Sequence, residues 1–452
     1  MSQSSTADSL IPSHRSILRL AIPVMLSNVS TPLIGVVDTA IVGRIPDAAY
    51  IGAVALASLV FTFLFWAFGF LRMGTTGLTA QASGANDGAE VIAGLGRALL
   101  VAAAAGSLLI VLQWPLRELA FALLHGSDHV ESLARGYFDI RIWSAPAALA
   151  NYALLGWFVG LGRTEVALVL QFILNLSNIL LDALFVLGLG WGVRGVAFGT
   201  VLAEIIAAVC GIVIALRFAR GRYPKFNREQ ILDIARLKRT FTVNSDIMVR
   251  SLALMLAFIW FMAQGAQQGD VVLAANAVLM QFIAVSAYFL DGIAFSAETL
   301  VGRAIGARHR EALLTSIRRT TLWAAILAAA LSILIAVSGS WGIELLTTDE
   351  RARDMAKAYL LWAAVGPILG VWAFQLDGIF IGATQTAEMR NAMLLSLAIF
   401  FLAWKLTVSW GNAGLWASLC VHYIARASTL LYFFPKLLNR TDIPAHAQVI
   451  VS

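Results

Sequence analysis

Long apolar runs recur along almost the whole chain, and that recurrence constrains its fold more than any other feature. Clusters of Gly, Pro, Asp and Arg separate runs at 16–43, 51–82, 92–113, 132–161, 165–189, 195–217, 240–264, 272–302, 315–341, 355–382, 388–408 and 414–436. About 20 apolar residues suffice for one helix to cross a bilayer core. The 452 residues are 60% hydrophobic and only 13% charged, where a soluble protein carries roughly 25% charge. No connection is long enough to form a soluble domain. The expected fold class is an all-α integral membrane protein of twelve transmembrane helices, several of them tilted or extended past the bilayer.

The formal charge of +6 has a simpler source than a nucleic-acid partner, because Lys and Arg concentrate in cytoplasmic loops. With the N-terminus inside, twenty Lys and Arg fall on the cytoplasmic side and eight on the other. Eight of the twenty lie between Arg217 and Arg239 alone. Both termini are therefore expected in the cytoplasm. The polar start of the chain lacks a signal-peptide cleavage pattern. Cys210 and Cys420 lie inside apolar runs, and nothing about them suggests a disulfide or a metal site.

The basic 217–239 connection also divides the chain. The expected organisation is a cytoplasmic tail at 1–15, an N-lobe of six spans at 16–217, a linker at 218–239, a C-lobe of six spans at 240–436 and a second tail at 437–452. Sliding one half along the other by 222 residues aligns two distant segments. Residues 298–307 then meet 76–85 with a common closing Gly-Ala, and PheIleGlyAlaThrGlnThr (380–386) meets PheValGlyLeuGlyArgThr (158–164). A constant offset indicates a parallel duplication, a common transporter plan with a substrate path between the halves.

Ionisable groups inside a bilayer cost a few kcal/mol or more, so the polar residues of the spans carry the functional information. In the first span, Asn28, Thr31, Gly35 and Asp38 follow helical steps on one face, with Pro23 upstream to allow a bend. In the fifth, Gln171, Asn175, Asn178 and Asp182 form a polar stripe, and Thr200 and Glu204 stand one turn apart in the sixth. Asp38, Asp182, Asn178 and Thr200 read as a cation or proton site. Asn151, Asn175, Gln171 and Glu204 are candidates for cavity lining. The second half carries Asp291, Glu298, Asp377 and Arg250 as a candidate polar site, with a pairing of Arg250 and Asp291 one explanation for its charges. Arg72, Lys405 and Arg426 also fall in or near apolar runs, and Lys405 is suited to snorkelling.

Soluble chemistry is missing. None of the five lysines follows a GlyxxxxGly pattern, which argues against an ATP motor. The six histidines, His125 and His129 among them, show no zinc-ligand spacing, and no protease motif appears.

Pro23 followed by AspThrAlaIleValGly (38–43), the AsnIleLeuLeuAsp run (178–182) and the GlyValAlaPheGlyThr run (195–200) resemble the MATE (multidrug and toxic-compound extrusion) transporters, and within them the DNA-damage-inducible, DinF-like branch. The resemblance extends over essentially the whole chain. It implies two pseudo-symmetric six-helix lobes of the MATE/MOP type. It also implies that Asp38 is the first-span carboxylate whose protonation or ion binding is linked to bending at Pro23, with Asn178, Asp182 and Thr200 completing the site. Other branches use acids of the C-terminal lobe.

The resulting expectation is a secondary-active exporter in the cell inner membrane, not an enzyme. It would exchange cationic or amphipathic organic molecules for H⁺ or Na⁺ by alternating access. Two carboxylates facing each other in a low-dielectric site cannot both ionise cheaply, so the pair can take up such a cation. Neither a cofactor nor a nucleic-acid partner is expected, and the protein is read as a monomer in the lipid bilayer. The alternatives are a flippase for lipid-linked or polysaccharide intermediates, a channel, and a membrane-embedded enzyme; the buried acids and missing motifs weigh against them.

Overall fold

The computed structural model describes residues 10–45, 47–124 and 126–438, without the side chains of residues 31–34, 36 and 48. Most of both expected tails, the His125 position and the Thr31 side chain lie outside the described residues. Within them the chain is helical, and no strand occurs.

The helices are α1 (His14–Val42), α2 (Ala48–Trp66), α3 (Phe70–Gly84), α4 (Gly88–Val111), α5 (Gln113–Leu123), α6 (Asp128–Arg141), α7 (Ala145–Gly160), α8 (Thr164–Asp182) and α9 (Gly192–Ala219). They continue with α10 (Arg228–Ile231), α11 (Ile234–Gln267), α12 (Asp270–Gly306), α13 (Arg310–Leu346), α14 (Glu350–Gly382), α15 (Thr386–Thr407) and α16 (Asn412–Leu438). Among the described residues, ten stretches are long and apolar enough to cross a membrane: Ala49–Gly84, Gly88–Val111, Asp128–Gly160, Thr164–Gly188, Gly192–Ala219, Ile234–Gln267, Asp270–Gly306, Arg310–Leu346, Glu350–Gly382 and Thr386–Trp410. The 29 residues of α1 and 27 of α16 also suffice in length for a crossing, which brings the count to the twelve expected. His422, Arg426 and Lys436 lower the apolarity of α16.

The boundaries read from sequence hide three interruptions. The 51–82 run breaks between α2 and α3 at residues 67–69. The 132–161 run passes through a 3₁₀ turn at Ile142–Ser144 just before Pro146, where a missing N–H favours a new helix start. The 165–189 run ends in a π-turn, Ala183–Gly188, immediately after Asp182.

The described residues pack as two compact units, Leu26–Thr79 with Asp87–Asn244, and the chain up to Met25 with Ala80–Asn86 and everything from Ser245. The boundary within α1 falls just past Pro23. In the second unit, Ala21 belongs to an apolar cluster with Leu290, Ile293 and Val371, and Ser296 donates to the carbonyl of Ile17 at 3.4 Å. In the first unit, Asn175 donates to Ser30 Oγ at 3.1 Å. Also there, Glu90 pairs with both Arg97 and Arg236, while Arg97 donates to the carbonyl of Gln230 at 2.8 Å. These bonds tie the basic connection to α4.

The 222-residue offset recurs in the backbone. Asn86 and Arg308 adopt positive φ, 56° and 53°, as do Gly162 and Thr384, at 60° and 53°. The N–H of Arg163 donates to the carbonyl of Phe158 at 2.8 Å, and that of Gln385 to Phe380 at 3.0 Å. Within the second unit the two copies of the first motif touch reciprocally. A Cβ on Gly84 would lie 2.1 Å from the Arg303 carbonyl oxygen, and one on Gly306 would lie 2.0 Å from that of Gln81. Lipid tails are as apolar as Leu, so membrane helices associate through close backbone approach at small residues. These glycines provide that approach.

Candidate functional site

Apart from Pro23, which lies in the other unit, the candidate residues of the N-terminal half belong to one compact unit, on α1, α7, α8 and α9. Asp38 is 8% exposed, Asn178 1% and Asp182 fully buried. The carboxyls of Asp38 and Asp182 lie within side-chain hydrogen-bonding reach of each other. Two carboxyl groups can hydrogen-bond only if one holds a proton, since ionised carboxylates are acceptors alone. Asn178 Nδ2 donates to Asp182 Oδ2 at 3.0 Å and to Thr200 Oγ1 at 3.3 Å. The Thr200 hydroxyl spends its hydrogen on the Val196 carbonyl at 2.8 Å, leaving a lone pair for Asn178.

The helices place these groups by simple periodicity. Asn178 and Asp182 are one turn apart on α8, and Thr200 faces them from α9 because Gly199 lets that helix press against Asp182. The π-turn after Asp182 widens the helix at the position where α8 needs to present a carboxyl inward; such turns recur at functional sites. Asp38 Oδ1, Asp182 Oδ1 and Asn178 Oδ1 are buried and, among the described residues, accept no hydrogen bond. Buried acceptors are ordinarily satisfied. One free oxygen from each carboxyl and the amide oxygen of Asn178 form a site whose chemistry suits a proton or a small hard cation.

A neighbouring group gathers around Arg141. Its guanidinium lies 3.6 Å from Glu204, donates to Ser144 Oγ at 2.6 Å and sits over the rings of Phe61 and Phe65 at 5.5 and 5.6 Å. Asn151 Nδ2 donates to Glu204 Oε2 at 2.7 Å and to its carbonyl at 3.1 Å. Glu204 is therefore engaged with Asn151 and Arg141, although it shares a helix face with Thr200. The charge of Arg141 acts on both Asp38 and Asp182. Gln171 donates to Asn175 Oδ1 at 2.8 Å, and Asn175 reaches α1 at Ser30. The stripe on α8 thus splits: its first half bonds to α1 and its second half holds the acid.

Arg141 and Gly199 are the residues that sequence reading missed. Arg141 counts as an outside-loop arginine in a charge tally, and only the 3₁₀ turn that joins α6 to α7 reveals it as buried. Its position five residues before Pro146, inside an apolar run, was the available signal.

In the other unit, Arg250 pairs with Asp377 and not with Asp291, because α14 rather than α12 presents a carboxyl at its level. Arg426 joins the same acid. Glu298 is buried and Asp291 half-buried, both on α12. Lys405 is exposed in the last turn of α15, beside a groove of about 450 Å³ lined by Trp260, Phe401 and Trp404. Arg72 is half-buried.

The sequence matches the MatE family model over residues 23–184 and 247–404. It is 38% identical to DNA damage-inducible protein F of Escherichia coli over 93% of this chain and 92% of that protein. It is 25% identical to the probable multidrug resistance protein NorM of Thermotoga maritima, over 93% and 92% of the two chains. The structure is similar to the outward-facing conformation of a multidrug resistance MATE family transporter of the MOP superfamily. That match has a TM-score of 0.86 at 19% identity and covers 95% of this chain and 97% of the other.

Proposed function

Since the chain belongs to the MATE family of membrane transporters, we propose that it is a secondary-active exporter, antiporting cationic or amphipathic organic molecules against H⁺ or Na⁺. The observation that carries this reading is the buried Asp38–Asp182 pair. It would act as a monomer in the inner membrane, with both termini cytoplasmic, as the Lys and Arg distribution supports.

The mechanism follows from charge. With one cation held between them, the two carboxyls attract, and Asp38 draws α1 onto α8. Without it, two carboxylates about 4 Å apart at an effective dielectric near 20 repel by about 4 kcal/mol. Conformational states of a protein commonly differ by only a few kcal/mol, so loading or unloading the site suffices to shift α1 between two packings. Pro23 removes one backbone hydrogen bond where the first part of α1, anchored through Ile17 and Ala21, meets the part that carries Ser30 and Asp38. Bending there couples the cation to the helix. The cation must bind the two packings with different affinity for transport to be driven.

Proteoliposomes with imposed H⁺ or Na⁺ gradients test the proposal. Efflux of an organic cation that follows one gradient supports it and names the ion; efflux indifferent to both refutes it. A flippase for lipid-linked or polysaccharide intermediates remains the competing reading, favoured by the basic Arg250–Arg426 cluster. The same experiment separates the two, since a flippase moves its lipid without exporting dye.

A further inference from the structure

Three helices of the C-terminal unit bring an unbalanced charge cluster together. Arg250 on α11 and Arg426 on α16 both donate to Oδ2 of Asp377 on α14, Arg426 at 2.7 Å. Arg250 is 6% exposed, Asp377 5% and Arg426 2%. Two guanidiniums share one carboxylate, so the cluster holds a surplus positive charge in a buried place. A buried charge without a counter-charge is strongly disfavoured.

Two other acids of this unit have basic partners of their own. Asp246 is engaged by Arg390 at 2.6 Å, and Glu388 by Lys436 at 2.5 Å. His422 uses Nδ1 as a donor to the Ser396 carbonyl at 3.2 Å, because a carbonyl only accepts. Meanwhile the Nε donors of both arginines are buried and, among the described residues, bond to nothing. Each guanidinium has five N–H donors in a plane, suited to gripping a carboxylate with two parallel bonds. The Phe374 ring, 5.9 Å from the Arg426 guanidinium, adds an apolar surface beside them.

We propose that Arg250 and Arg426 form a subsite for a carboxylate, so that the transported molecules include amphipaths bearing an anionic group as well as organic cations. This rests on the exporter reading and narrows its substrate class. The Asp377 carboxylate fixes the two guanidiniums in place, and the incoming carboxylate balances the surplus charge.

The test uses purified full-length protein and two dyes, rhodamine 19 with a free carboxylate and its ethyl ester rhodamine 6G, with binding read by fluorescence anisotropy. The wild type should bind the acid more tightly than the ester. Arg426→Gln leaves Arg250 and Asp377 as a neutral pair, so it should weaken the acid about tenfold, the loss of a charge-assisted hydrogen bond, with the ester unchanged. Arg250→Gln should do the same. Equal weakening of both dyes, or no change, would overturn the subsite. If neither variant folds, the wild type decides alone: an acid bound no better than its ester, or not at all, rejects it. Efflux into a gradient keeps the two readings apart. Wild-type proteoliposomes that export neither dye defeat the exporter reading, whereas export of the ester without preferential binding of the acid defeats only the subsite.

Discussion

A Cβ placed on Gly199 would lie 1.9 Å from Asp182 Oδ1 and 3.1 Å from its Cγ, so α9 and α8 meet at a point where any side chain would displace the buried acid. Gly199→Ala should therefore disturb the site without touching Thr200 or Asn178. Gradient-driven efflux should fall about tenfold, a coupling loss of roughly 1.4 kcal/mol, while the protein still inserts and purifies. Efflux at the wild-type rate would mean that the position of Asp182 does not matter.

Asn178 and Thr200 should differ in weight. Asn178 donates to both Asp182 and Thr200, whereas Thr200 only receives a long 3.3 Å bond and donates elsewhere. Thr200→Val removes an acceptor, about 1 kcal/mol, and should slow efflux several-fold. Asn178→Leu frees the Asp182 carboxyl and should cost more. Transport assays on the two variants at matched protein density decide it, and the reverse order would contradict the network.

Arg141 and Glu204 form a largely buried pair, both 9% exposed. Removing one member of such a pair leaves a buried charge, which costs about 3 kcal/mol. Arg141→Gln should lower the melting temperature in detergent, and adding Glu204→Gln should recover most of the loss. A double variant less stable than either single one would show that the two residues act independently.

The reciprocal glycines give a stability prediction. Gly84→Val and Gly306→Val each drive a side chain into the other repeat's backbone, and overpacking costs about 1–3 kcal/mol. The two variants should destabilise by similar amounts in thermal unfolding. Tolerance of one and not the other would mean that the repeats pack differently at this contact.

Much of this was legible in the residues. The 222-residue offset, read from two short segments, reappears as paired positive φ angles and reciprocal glycine contacts, because a duplicated turn must keep its backbone. Asn178 and Asp182 stand out by helical spacing, one turn apart on a single apolar helix, whereas the spacing of Thr200 points to Glu204, which the structure bonds to Asn151 instead while Thr200 meets Asn178. Arg141 was not, because a linear charge count cannot tell a buried arginine at a helix junction from one in a loop. Arg250 pairs with Asp377, 127 residues away in sequence, and only the packing of α11 against α14 selects that acid over Asp291. The break at 67–69 and the π-turn after Asp182 leave no mark on an apolar average.

The central claim is that a cation on the Asp38–Asp182 pair drives export, and efflux by Asp38→Asn in proteoliposomes tests it most directly. Asparagine keeps the shape of the side chain and removes the charge that must be loaded and unloaded. The account predicts that gradient-driven efflux is abolished while the protein folds and still binds dye. Undiminished efflux by Asp38→Asn under the same gradient would contradict it.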